Sequence, residues 1–117
     1  MKVNVCCNRE SFDLTGGIFL AGPTRRGGCY EESWRKEIVD LVEKHKDASS
    51  VSVIYVPEER RGTEFDTSPE NLKIQHKWEW DNLYKSDVIL FWIPRDIKGG
   101  MPAFTTNIEF GYWMGKD

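Results

Sequence analysis

Histidine and cysteine are scarce in this chain, and their spacing excludes several classes of function. Its 117 residues include three cysteines and two histidines. Cys6, Cys7 and Cys29 are odd in number and two of them are adjacent, a poor disulfide framework that fits a reducing, cytoplasmic setting. No CxxC pair occurs and neither His45 nor His76 stands in a ligand spacing, so no metal site is expected. Long apolar runs are missing as well. The stretch from Val88 to Ile93 is far too short to cross a bilayer, so no membrane partner is expected. Met1-Lys2-Val3-Asn4 carries no apolar core of the kind a secretory signal needs. Nor is there a basic excess: 16 basic against 19 acidic residues leave a net charge of −3, which argues against a nucleic acid polymer as partner.

What remains is ordinary soluble globular composition, 39% hydrophobic and 30% charged, in a length that suits a single domain over residues 1–117. Strand and helix signals alternate. Ile18-Phe19-Leu20-Ala21 is a short apolar run stopped by Gly22-Pro23, which predicts a buried strand and a turn. From Ser33 to about Lys46, Trp34, Ile38, Leu41 and Val42 fall at helical spacing. Val51 to Val56 is rich in β-branched residues and ends at Pro57, a second strand. Ser68-Pro69-Glu70 predicts a helix start, with Pro at the first helical position, and the helix is expected to reach about Lys85. The apolar run from Val88 to Ile93 predicts a central parallel strand covered on both faces. Thr105 or Thr106 is expected to open a last helix after a loop from Pro94. Val3, Val5 and Cys6 offer an extra edge strand. This β-α-β-α-β-α order predicts an α/β fold, a parallel sheet with helices on both faces.

Such sheets bind ligands beyond the carboxyl ends of their strands, which directs attention to the loops there. The first, Ala21 to Gly28, brings Gly22, Pro23 and Thr24 to the crevice and adds Arg25 and Arg26, a pair suited either to a phosphate or simply to a solvated turn. It is neither GxGxxG nor GxxxxGK[ST], so no dinucleotide cofactor is expected. On the second helix Leu72, His76, Glu79 and Leu83 share one face, and Ile74, Trp78, Asp81 and Lys85 another. Glu79 or Asp81 can therefore lean over the sheet, or both are solvated, with Asp81 near Lys77 or Lys85. Near the end, Thr106 followed by Glu109 matches a capping box, in which the Glu bonds back to the cap. The same placement would put Glu109 in the first turn of a helix, where the dipole favours an ionised carboxylate fit to act as a glycosyl nucleophile. Spacing alone leaves both readings open.

Several segments occur in order: Ile18-Phe19-Leu20-Ala21-Gly22-Pro23-Thr24, Ser33-Trp34-Arg35, Tyr55-Val56-Pro57-Glu58, Trp78-Glu79 and the run from Ser86 to Arg95. They are closed by Thr105-Thr106-Asn107-Ile108-Glu109-Phe110-Gly111. From about Gly17 onward the chain resembles the nucleoside 2-deoxyribosyltransferase family, in its 2-deoxyribosyltransferase-like branch. The resemblance implies a flavodoxin-like, three-layer fold and a retaining exchange through a covalent deoxyribosyl-enzyme, with no metal or other cofactor. It also implies a nucleoside or nucleotide and a free nucleobase as substrates, and a homo-oligomer in which a neighbour completes the site. Matched by position, it makes Glu109 the nucleophile and Glu79, or else Asp81, the accompanying acid. Gly22, Pro23, Thr24 and Arg25 match the loop beneath the sugar or its 5′ substituent, and Asn107 lies in the pocket-lining segment. Phe19, Trp92 and Phe104 are candidates to stack on a base, against the commoner role of such residues in a core.

Family members continue past this last helix, so the resemblance is to a form with a short C-terminus. Lys98-Gly99-Gly100-Met101-Pro102 stand where other members carry acids, which leaves base preference open. Two further activities fit the same residues: hydrolysis of a nucleoside 5′-monophosphate, suggested by the two arginines, and nucleotide binding without turnover.

Overall fold

A computed structural model describes residues 2–5, 16–24, 28–62, 68–94 and 104–116, with only the backbone of Phe104 and Thr105. Four parallel strands form one sheet: β1 (Lys2–Val5), β2 (Ile18–Ala21), β3 (Val53–Val56) and β4 (Val88–Phe91). Their order is β1-β3-β2-β4. Helices α1 (Trp34–Glu43) and α2 (Pro69–Lys85) connect β2 to β3 and β3 to β4, and α3 (Phe104–Met114) follows β4. The fold is α/β, as the alternating pattern predicts, and flavodoxin-like, as the resemblance implies.

Each strand alternates its side chains between two packed layers. Phe19, Ala21, Val53 and Tyr55 point to one face and pack with Trp78 and Leu83 of α2, with Trp113 of α3 against them. Val5, Leu20, Ile54 and Val56 point to the other and pack with Tyr30 and with Val39 of α1. Helices therefore cover both faces. Ser33 caps α1 by accepting from the Arg35 amide, and Ser68 caps α2 by accepting from the Asn71 amide with Pro69 just inside, so local chemistry sets both starts. The expected edge strand at the N-terminus is present, with Val3 beside Ile54 and Val5 beside Val56. Cys6 lies outside the described residues.

Two expectations need correction. The run from Val88 is not central: among the described residues β4 pairs with β2 alone and lies at the sheet edge, with Val88 54% exposed. Its apolar residues nonetheless pack on both faces, Ile89 and Phe91 against the cluster that holds Trp78 and Leu90 against the cluster that holds Val39. The interior strands are β2 and β3, and all four residues of β3 are buried. The last helix begins at Phe104, so Thr106 is its third residue and Glu109 its sixth. Thr106 is buried inside the helix rather than capping it, and the capping box does not form. Packing of the Thr106 side chain outweighs its local preference for a cap.

The order places the turn of topology between β2 and β4. The chain leaves β2 for α1 on one face and β4 for α3 on the other, opening a crevice at the carboxyl ends of these two strands.

Candidate active site

One wall of the crevice is Gly22-Pro23-Thr24. Gly22 has φ +155°, and a Cβ there would stand 2.4 Å from the Trp92 carbonyl oxygen and 2.8 Å from the Trp34 ring. Only glycine lets the chain turn this close to the end of β4. The Trp34 and Trp92 rings lie 4.8 Å apart beside it.

Arg35 organises this wall from below. Its side chain is 1% exposed, and Nε donates to the Leu20 carbonyl at 2.8 Å. Nη2 donates to the Gly22 carbonyl at 2.6 Å and Nη1 to the Thr24 hydroxyl at 3.0 Å. Nη1 also lies 3.3 Å from Glu58 Oε1, an acid as buried as Arg35 itself. The Ser33 hydroxyl donates to the other Glu58 oxygen, and the Trp34 indole donates to the Pro23 carbonyl at 3.3 Å. The buried charges are thus paired and bonded, as low dielectric surroundings require.

The opposite wall belongs to α2 and α3, whose outer aromatic residues interlock: Trp80 lies 5.6 Å from Trp113 and 5.1 Å from Tyr112. Glu79 and Glu109 project from these helices into partly buried positions. Burial pushes the Glu79 carboxyl up to about 7, opposed by a hydrogen bond from Gln75 and reinforced by the charge of Glu109. Burial also raises Glu109, while the positive charges of Arg35 and His76 draw it down. The charge of Glu109 stands against ionisation of Glu79. Desolvation, rather than a helix dipole, governs Glu109, because the sixth helical residue lies beyond the first turn where the dipole acts. The sequence-based expectation of a carboxylate favoured by the dipole is therefore corrected: its ordinary value is raised.

Other expected site residues divide clearly. Asp81 is solvated, its side chain 52% exposed and paired with Lys77 at 2.7 Å one turn away. It is not brought to the carboxylate pair. Phe19 is buried in the core, its ring 6.3 Å from both Tyr55 and Trp78. Gly22, Pro23 and Thr24 form the clamped wall, each bonded to α1. Asn107 is half-buried on α3, two residues before Glu109. Arg25 and Arg26 lie outside the described residues. Among the described residues no group of three His, Cys, Asp or Glu side chains could hold a metal ion, and no helix is long and apolar enough to cross a membrane.

Sequence reasoning missed Arg35 and Glu58 as parts of the site, although signals existed. A cation in the first turn of a helix opposes the dipole, so Arg35 there signals a bond made elsewhere. Glu58 lies two residues past the end of β3, where an acid enters the crevice region. The half-buried face of α2 was missed too. Asn71, Gln75, Trp78 and Asn82 lie along it, and the Tyr55 hydroxyl, Gln75 Oε1 and Trp78 Nε1 have no hydrogen-bond partner among the described residues.

Comparison with family models matches residues 16–117 to the family described as nucleoside 2-deoxyribosyltransferase like. Comparison with curated proteins gives no match.

Proposed function

Because the chain belongs to the nucleoside 2-deoxyribosyltransferase-like family, we propose that it breaks the N-glycosidic bond of a (deoxy)nucleoside and passes the sugar to another base. The observation that carries this reading is a pair of partly buried carboxyls in different surroundings: burial pushes Glu79 up to about 7, while at Glu109 the charges of Arg35 and His76 oppose the rise that burial causes. Acids in such different surroundings can divide the roles of nucleophile and proton donor.

In the first step a Glu109 oxygen attacks the anomeric carbon, forming a glycosyl ester as the C–N bond breaks. The bonding pair leaves with the base, which takes the proton of Glu79. In the second step an acceptor base gives its proton to Glu79 and its nitrogen attacks the anomeric carbon. The ester bond breaks, Glu109 returns as carboxylate, and two inversions leave the configuration retained. Gly22, Pro23 and Thr24 line the sugar side, and Asn107 lies on the nucleophile's helix. The 1–117 domain acts within a homo-oligomer in this reading.

The test is incubation with mixed deoxynucleosides, deoxynucleotides and a free acceptor base, followed by chromatography, with Glu109→Ala alongside. A new nucleoside is expected, and Glu109→Ala should lower its formation by at least about 10³-fold. Free sugar or sugar phosphate without exchange would identify a hydrolase instead. No turnover by the parent would overturn the enzymatic reading in favour of nucleotide binding alone.

A further inference from the structure

The site contains a buried cation that the proposed reaction does not use. Arg35 is too enclosed, and its fork too fully engaged, to take a substrate anion. Three of its nitrogens bond to the Leu20 and Gly22 carbonyls, the Thr24 hydroxyl and Glu58. It nevertheless lies at the carboxyl end of β2, where the crevice opens. We propose that Arg35 is the positioning residue of this site: its guanidinium fixes the Gly22–Thr24 wall and serves as the permanent positive charge behind the Glu79–Glu109 pair, with Glu58 limiting how much of that charge the pair feels.

The first role follows from geometry. Leu20 is the third residue of β2, and Gly22 and Thr24 are the first and third residues after that strand. A planar fork reaching all three holds the turn to the end of the strand as a lysine ammonium, with no fork, cannot. The Trp34 bond to Pro23 secures the residue between. The second role follows from placement and charge. Arg35 lowers the proton affinity of both carboxyls, and at Glu109 it is the larger of the two opposing influences. The charged groups that act on Glu109 are Arg35 from α1 and His76 from α2, and Glu109 in turn acts on Glu79 of α2. A guanidinium keeps its charge across the working pH range, so Arg35 is a permanent cation beside the pair. Glu58 is 3.3 Å from Arg35 and cancels part of its field. This assignment rests on the proposed roles of Glu79 and Glu109, but its tests do not require turnover.

The experiment follows Glu109 and Glu79 by ¹³C NMR titration of the full chain, with amide hydrogen exchange at Gly22 and Thr24. Glu58→Gln preserves the shape of the acid and removes its charge. The uncompensated Arg35 should then move the Glu109 midpoint down by about half a unit to one unit. Arg35→Lys keeps the charge and loses the fork. Its Glu109 midpoint should stay within about 0.3 unit, while exchange at Gly22 and Thr24 accelerates at least about tenfold. A folded Glu58→Gln with an unmoved Glu109 midpoint overturns the proposal, as does a folded Arg35→Lys with unchanged exchange. If Arg35→Lys does not fold, the Glu58→Gln titration decides alone. Loss of the proposed reaction would appear separately, as absence of turnover in the parent.

Discussion

The two walls of the crevice treat buried polarity in opposite ways. On the α1 side each prominent buried polar group is answered: Arg35 by Leu20, Gly22, Thr24 and Glu58, and Glu58 by Arg35 and Ser33. On the α2–α3 side the Tyr55 hydroxyl, Gln75 Oε1 and the indole nitrogens of Trp78 and Trp113 have no hydrogen-bond partner among the described residues. Two carboxyls there are also held away from their ordinary titration. Satisfied networks stiffen a fold, whereas unsatisfied groups and perturbed acids gather where something is to be bound or transformed. The α1 wall thus reads as frame and the α2–α3 wall as chemistry, though both border one crevice.

The sharpest way to break that division is Gly22→Ala. A methyl placed 2.4 Å from the Trp92 carbonyl oxygen should cost about 2–3 kcal/mol in urea unfolding. If this wall is frame, stability falls while the Glu79 and Glu109 titrations stay in place. A large shift in those titrations would show that the walls are one unit.

The next effect belongs to Glu79. Its folded-state carboxyl titrates at about 7 against an ordinary 4.5, so between these values the folded chain holds a proton that the unfolded chain has released. Stability is then full below about pH 4.5 and is lost as pH rises through 7, by an amount on the order of 1–3 kcal/mol. Thermal melts from pH 4 to 8 should show this decline, and Glu79→Gln should flatten it. A parent whose stability rises over the same window would contradict the burial of this acid.

The smallest effect is expected at Asp81. Asp81→Asn removes an exposed pair with Lys77 one turn away and should change stability by less than about 0.5 kcal/mol. Turnover should remain within about twofold of the parent. A loss of tenfold or more would move the second acid of the site from Glu79 to Asp81.

Much of the frame was legible in the sequence because local signals and burial agree there. The β-branched run ending at Pro57 is β3, and Ser68-Pro69 opens α2, each where turn and cap chemistry place it. Legibility failed where tertiary packing decides. An apolar run looks the same in a central strand and at an edge, so β4 was read as interior. Two threonines look like caps, yet the helix starts at Phe104 and buries Thr106. In the site, Glu79 and Asp81 are two residues apart and spacing allowed either to face inward. The rotation of α2 chooses Glu79 by burying Trp78, Asn82 and Leu83. Arg35 stayed hidden because an isolated arginine on an amphipathic helix looks solvated until Glu58, 23 positions later, is folded against it.

The placement of Glu109 has a consequence in time as well as in space. Of the described α3 side chains only Thr106 is buried, whereas β3 is buried throughout. The backbone amides of β3 should exchange with solvent only when the whole molecule unfolds, and those of α3 through smaller, more frequent openings. The proposed nucleophile therefore rides on the less buried of these elements, across the crevice from a loop bonded to α1. A sugar bonded to Glu109 and resting on that loop would tie α3 to it, slowing exchange along α3 for as long as the intermediate lives.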